Sequence, residues 1–559
     1  MNRRGLASVA AVAVVAVSVL GAVGFWLTRP IGSTPTAALD APHFVEEAIA
    51  SGIDHAYDGD FAFAVGGGLA VFDCSGDGFP DLYLAGGNGP ATLYRNESPI
   101  GGDFRFVAID DPAIALNGVE GAYPLDVDGD SNVDLVVLRD GENVVLRGLG
   151  DCRFEPANAA LALDGGDQVT AAFSATWEND AMLPTLAFGN YLVDPDHPDP
   201  DRLCSDNQLV RPRPGVDRYD PAISLTPAWC ALSMLFSDWD RSGRRDLRVS
   251  NDRQYYSDLS DGQEQLWRIA PGEPPRLYGE ADGWVLYRIW GMGIASHDVD
   301  GDGYPEAYLT SQGPNVLQTL LSGPSQPMFR DIALKRGVDA TRPSSGGDPL
   351  PSTSWHPEFV DVNNDAFMDL FVSKGNVAEQ ADFATMDPSD LFLGQPDGAF
   401  VEVAEAAGIL DYARGRGASL ADLNLDGLPD LVEVNYGDRV NVWRNVGAGD
   451  AERPLPMGHW IGLRLVETGP NRDAIGAWVE VRMGDATTSR EMIVGGGHVS
   501  GQLGWLHFGL GLSEEAQVRV TWPDGETGPW QRVTADAFAV IERDAPGPRV
   551  WQPGIDRGP

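Results

Sequence analysis

Nine residues of the chain, "DVDGDGYPE" from Asp298 to Glu306, place carboxylates at positions one, three, five and nine, with glycine at six and an aromatic at seven. Unit charges roughly 4 Å apart interact by about 4 kcal/mol near a protein surface, so four acids in one turn repel one another unless something positive sits among them. A hard divalent cation fits that donor set. Calcium takes about six to eight oxygen ligands in a flexible shell, and alternate residues of a tight loop can aim side-chain oxygens at one point. Asp298, Asp300 and Asp302 would then supply the first ligands, Gly303 the bend, Tyr304 its carbonyl and Glu306 the closing carboxylate.

The pattern recurs. "DCSGDGFPD" offers Asp73, Ser75, Asp77 and Asp81; "DVDGDSNVD" offers Asp126, Asp128, Asp130 and Asp134; "DWDRSGRRD" offers Asp238, Asp240, Ser242 and Asp246. Beyond Asp298, "DVNNDAFMD" offers Asp361, Asn363, Asp365 and Asp369, and "DLNLDGLPD" offers Asp422, Asn424, Asp426 and Asp430. Six copies exclude coincidence and predict about six calcium ions as the protein's cofactors.

Spacing gives the architecture. The last three loop-to-loop intervals are 60, 63 and 61 residues, while the gap from Asp126 to Asp238 is about twice a repeat, so a seventh unit belongs there. "SATWENDAMLPTLAFGNY" fits it, with Thr176, Glu178 and Asp180 at ligand positions; Pro184 replaces the closing acid, which predicts weak metal binding or none. Each unit reads as strands: "FVDV" enters the Asp361 loop, "LFVSKG" leaves it, and "DLFLGQ" and "FVEVAEAAGI" follow, the last running into a helical turn. Four strands and a period near 60 residues indicate an all-β, seven-bladed propeller with calcium-binding hairpin loops. The Asp422 unit lacks its fourth strand, and "FVEEAIASGI", Phe44 to Ile53, is a spare fourth strand at the other end of the chain. Residues 43 to 53 are therefore expected to close the ring by pairing with that last unit.

Residues 44 to 446, with "GGGLAVFD" before a loop and "DLYLAGG" after it, resemble the FG-GAP/VCBS repeats of the integrin α-subunit propeller, whose Asp-rich loops hold calcium. A second stretch, 459 to 542, resembles the ASPIC/UnbV domain through "HWIGLRLVETGPNRDAIGAWVEV", "GGGH", "LHFGLG" and "VRVTWPDG". The ordered pair resembles bacterial members of the cartilage acidic protein-like family. The resemblance implies a propeller over 43–446, a linker over 447–458 and a small C-terminal β-rich domain over 459–542. Residues 543–559 read as a disordered tail, without the growth-factor-like module of the familiar vertebrate forms.

The chain opens "MNRRGLASVAAVAVVAVSVLGAVGFWLTRP", with an uncharged run from Gly5 to Leu27. That run is long enough to span a hydrocarbon core of about 30 Å, and no small-x-small cleavage site follows it. Residues 1–30 are expected to be an uncleaved membrane anchor rather than a signal sequence, joined by a linker over 31–42. The bulk of the chain would then lie in the periplasm or outside the cell, and it would be secreted if the segment is cleaved. The net charge is −43, which six divalent cations would bring to about −31; nucleic acid and anionic lipid surfaces are excluded as partners. Cys74, Cys152, Cys204 and Cys230 form no metal pattern. In an oxidising compartment they suggest disulfides, Cys204–Cys230 first, since that bridge staples a long insertion; Cys74 would then pair with Cys152 or stay buried and reduced.

No GxSxG, HExxH or phosphate-binding loop occurs, so no catalytic residue is assigned. The leading functional class is a non-catalytic, calcium-stabilised extracytoplasmic binding or adhesion protein for an extracellular protein or polysaccharide. The alternative is an enzyme acting on a glycan or metabolite at the propeller funnel, which a cluster of His297, Trp355, His356 and Glu358 around one deep pocket would favour. "GGGHVSG", Gly495 to Gly501, could cradle an anion through its amides, although glycines in a β-rich domain more often serve bulges and turns. Asn96 in "NES" is a glycosylation sequon.

Overall fold

A computed structural model describes residues 38–179, 181–192, 204–252, 262–377 and 380–555. The expected N-terminal anchor lies outside these residues, and among them no helix is long and apolar enough to cross a membrane.

The described propeller strands form antiparallel units: four separate four-stranded sheets, a nine-stranded sheet joined through Val494–Gly495, and a five-stranded sheet to which Gly501–Leu503 adds a parallel edge. In the units that carry an acidic loop, a fully or almost fully buried inner strand leads into it and the second strand starts at position nine, as in Ser354–Val360, Asp369–Lys374, Asp390–Gly394 and Phe400–Glu402; in the degenerate unit the second strand starts one residue later, at Thr185. A four-residue helix, Ala404–Ala407, follows and ends on Gly408 at φ 84°, a left-handed C-cap that glycine adopts without a Cβ clash. Inner strands carry a bulge near their starts, between Ser354 and Pro357 or Gly415 and Ala418, for example. Such bulges add twist. Each inner strand contacts the next round the ring, and the last, Gly415–Ala421, contacts the first, Leu69–Phe72.

The ring is closed by the chain's own beginning. Phe44–Glu46 pairs antiparallel with Asn441–Asn445, as the missing strand of the Asp422 unit, in the register Phe44↔Asn445 and Glu46↔Trp443. The clasp is fastened by charge: Arg444, 2% exposed, donates to Glu47 at 2.7 Å and pairs with Asp103 at 3.0 Å.

The C-terminal domain comprises two four-stranded sheets. One runs Leu506–Gly511, His459–Val466, Ala537–Glu542, Arg549–Trp551; the other runs Ala486–Glu491, Trp478–Met483, Glu515–Thr521, Gln531–Thr534. Their apolar faces share a core that continues into propeller residues Tyr123 and Phe173. The tail is not disordered throughout, as its composition suggested. Arg549–Trp551 completes a sheet, and Trp551, 1% exposed, stacks among Trp505 and Phe538. One buried tryptophan outweighs the surrounding glycines and prolines because it removes so much apolar area from water.

Both disulfides form: Cys204–Cys230 spans the insertion, and Cys74–Cys152 ties the first acidic loop to the neighbouring unit. Asn96 is 2% exposed, and its amide donates to the carbonyls of Pro80 and Leu423, so the sequon serves packing.

Candidate metal loops and the docking of the second domain

The acidic loops share one hydrogen-bond plan. The position-one carboxylate folds the loop around itself: Asp73 accepts from the amides of Gly76, Asp77 and Gly78 at 2.7, 3.2 and 2.8 Å. Asp126, Asp298, Asp361 and Asp422 do the same with their own loops. Position five makes an Asx turn to the amide two residues on, as Asp77, Asp130, Asp302, Asp365 and Asp426 show. The position-nine acid is buried and accepts from the amide of position two, as in Asp81, Asp134, Glu306, Asp369 and Asp430. Backbone amides thus preset the side chains.

Three carboxylates converge in two loops, Asp126 with Asp128 and Asp134, and Asp298 with Asp300 and Asp302, their ligand atoms lying within 4.8 Å of one another. A third group of donors, Cys74, Asp81 and Cys152, holds no metal because its cysteines are bonded to each other. Burial pushes Asp134 and Glu306 up to about 8, Asp126 to about 7 and Asp298 to about 6, each opposed by amide donors and reinforced by neighbouring carboxylates. Desolvated anions of this kind call for a cation. The donor set fits calcium: all the ligands are oxygens, and Asp128 Oδ1, Asp238 Oδ1 and Asn424 Oδ1 are buried without a hydrogen-bond partner.

Not every loop is alike. In the second, Arg147 from an adjacent strand reaches Asp128. In the degenerate third unit, Arg211 grips Glu178 through Nε at 2.7 Å and Nη2 at 3.0 Å, with Thr185 Oγ1 donating at 2.8 Å; Asp180 lies outside the described residues. In the Asp238 loop, Arg244 forks onto Asp246 at 2.9 and 3.1 Å and approaches Asp240 at 3.6 Å. The signal for this last pairing is present in "DWDRSGRRD" itself, where three arginines offset three acids.

The loop-bearing end of the ring receives the C-terminal domain. Trp505 Nε1 donates to the Gly78 carbonyl at 3.3 Å, Arg472 to Ser131 at 2.8 Å, and Arg245 to the carbonyls of Gly476 and Pro523 at 2.9 Å. His507 Nε2 meets Asn364 Oδ1 at 2.6 Å, and a Cβ on Gly427 would strike Trp460. By contrast, Asp300 and Asp302 of the Asp298 loop are exposed.

From the same domain, residues 494–503 pass into the centre of the ring. Val494–Gly495 pairs with the inner strands Thr170–Thr176 and Ala231–Ser237, and Gly501–Leu503 pairs parallel to Leu69–Phe72. Gly495, Gly496 and Gly497 all have positive φ, 123°, 71° and 54°, a run that residues with a Cβ adopt only under strain. Their amides do not cradle an anion: Gly496 N donates to Met234 O at 2.7 Å, Gly497 N to Ile294 O at 2.6 Å and His498 N to His356 Nδ1 at 3.0 Å. The helical turn Phe61–Val65 approaches the same centre, where Arg416 Nε donates to Ala64 O at 2.7 Å and the guanidinium lies 4.1 Å over Trp355.

Of the four residues that an active funnel would have gathered, only two come together, His356 Nε2 lying 3.5 Å from Glu358 Oε2. Trp355 is fully buried beneath His498, with ring centroids 5.0 Å apart, and His297 packs on Phe359 at 5.8 Å. Only His356 and Glu358 line a cavity, of about 180 Å³ between the two domains, and Glu358 already accepts from Gln502 and from Leu420 N at 3.0 Å.

A ring of antiparallel repeats, each carrying an acid-rich hairpin loop, with a second β domain seated on those loops, defines a β-propeller of the FG-GAP type joined to a UnbV-type domain. Residues 73–137 match the family described as FG-GAP-like repeat, and residues 467–547 match the family described as ASPIC and UnbV. The chain thus matches both families, each over part of its length. It is similar to cartilage acidic protein 1 of Xenopus tropicalis, 26% identical over 218 residues that cover 37% of this chain and 31% of that protein. To the Homo sapiens protein of the same name it is 27% identical over 255 residues, covering 45% of this chain and 36% of that one. The matched stretch thus spans about a third of these relatives' length. Neither the family descriptions nor these names denote an enzyme. Among solved structures, an Agrocybe aegerita lectin that recognises non-reducing terminal N-acetylglucosamine aligns with TM-score 0.38 and 14% identity over 66% of this chain and 88% of its own.

Proposed function

We propose that this protein is a non-catalytic, calcium-stabilised extracytoplasmic binding or adhesion module whose hairpin-loop cations fasten the propeller to its C-terminal domain. The observation that carries the reading is the occupation of the ring's centre by residues 494–503: the position where propellers accommodate small substrates is spent on packing. The converging carboxylates of the Asp126 and Asp298 loops support calcium, and the two disulfides fit an oxidising compartment. Binding would then fall to the outer surface, whose strong negative charge favours a neutral or basic partner, an extracellular protein or a polysaccharide.

Calcium bound per chain, counted by atomic emission after gel filtration, tests the cation reading, and a count of zero overturns it. The binding reading is tested on arrays of glycans and matrix proteins with calcium or EDTA present. Turnover of a glycan by the purified protein would replace that reading with the enzymatic one.

A further inference from the structure

The six acid-rich loops are not equivalent in charge. Five contain three or four acids and no basic residue within their nine positions, whereas "DWDRSGRRD" balances Asp238, Asp240 and Asp246 with Arg241, Arg244 and Arg245. Each arginine has a defined place. The Arg244 guanidinium lies within the loop, forked onto both oxygens of Asp246 at 2.9 and 3.1 Å and 3.6 Å from Asp240. Asp246 Oδ2 also accepts from Trp239 Nε1 at 3.0 Å and from Tyr278 OH at 2.8 Å, so the closing carboxylate has its lone pairs committed to donors. Asp238 N, in turn, donates to the C-terminal domain's Glu491 at 3.0 Å. Arg241 and Arg245 point outward: the first stacks 3.8 Å over Trp478, and the second donates to the Gly476 and Pro523 carbonyls.

We infer that the Asp238 loop holds no calcium: Arg244 stands where the ion would sit, and Arg241 and Arg245 make the loop a metal-independent latch on the C-terminal domain. A planar fork matches a carboxylate in a way a hydrated ion need not, and its charge cannot be removed by a chelator. The neighbouring unit follows the same logic, with Arg211 forked onto Glu178. Two adjacent units therefore neutralise their loop acids with guanidinium, and the metal dependence is confined to the other five. In the Asp126 loop, by contrast, Arg147 ends on Asp128 alone and leaves three carboxylates converging.

This inference rests on the calcium reading, and one experiment separates the two. Bound calcium is counted by atomic emission in the full chain and in three variants. Asp300→Asn is expected to lose one ion; Asp240→Asn and Ser242→Ala are expected to lose none. The loss of one ion in either of the last two overturns the inference while leaving the calcium reading intact, whereas a wild-type count of zero overturns the calcium reading, with the latch then decided by the melting of Arg244→Ala. A second measurement covers misfolding of the Asp240 variant: Arg244→Ala should lower the melting temperature by several degrees in EDTA, where no ion can be involved. An unchanged melting temperature there overturns the role of the guanidinium.

Discussion

The backbone amide of His498 donates to Nδ1 of His356 at 3.0 Å, joining the tip of the C-terminal domain's glycine loop to an inner strand at the centre of the propeller. The two residues are 142 positions apart. Gly497, next to His498, has φ 54°, and a Cβ there would come within 2.4 Å of the His356 ring. Gly497→Ala should therefore destabilise the protein by about 2–4 kcal/mol, from strain and overpacking together. Urea unfolding followed by tryptophan fluorescence measures it; a midpoint within error of wild type would show that the loop can leave the channel without penalty.

Acid should loosen the same contact. Burial, followed by the charge of Arg416, pushes His498 down to about 3; the Leu232 carbonyl accepts from its ring, and Trp355 stacks on it. An unfolded histidine takes up a proton below about pH 6.5, whereas this one stays neutral until about pH 3, so between those values the unfolded state binds more protons. Stability is then lost as pH falls, by about 2 kcal/mol between pH 7 and 5 from this ring alone. His498→Gln should flatten the dependence of the urea midpoint over that interval. The same slope in both proteins would assign the acid sensitivity to other groups.

Calcium should raise the melting temperature by mass action on the folded state. In excess EDTA the transition should fall by many degrees, and Asp302→Ala and Asp426→Ala should each remove one ion. Differential scanning calorimetry that finds identical transitions with and without EDTA would end the cation reading.

The clasp can be weakened without deleting it. Glu47→Ala would leave Arg444, 2% exposed, with Asp103 as its remaining carboxylate, and breaking a buried pair costs about 3–5 kcal/mol, less what the exposed Asp103 retains. The whole propeller should respond, because the pair closes the ring. Hydrogen exchange confined to residues 44–51, with the inner strands unaffected, would show instead that the clasp frays locally.

Replacing Cys204 and Cys230 together by serine should cost about 3 kcal/mol through the freed loop, and more if the insertion then loses its packing. Thermal denaturation of the double variant provides the measure. A reduced protein as stable as the oxidised one would make the bridge incidental.

The repeat period, the strand pattern, the acidic loops and the spare fourth strand were all legible in the sequence, because each depends on local spacing: alternation every two residues, ligands at one, three, five and nine, and units about 60 residues apart. The favoured disulfide was legible for a similar reason, since it closes one excursion within a single unit. Tertiary structure decided what those elements serve. "GGGHVSG" carries no mark of the ring it enters, because its need for glycine arises from backbone that belongs to other units, the Met234 and Ile294 carbonyls and the His356 ring. Arg211 and Glu178 lie 33 residues apart, so nothing local shows that one neutralises the other. Trp551 looked like part of a disordered tail because its partners, Trp505 and Phe538, come together only once two sheets have formed. Short-range spacing fixes what a loop can bind, but burial and charge compensation depend on neighbours that only the closed ring brings within reach.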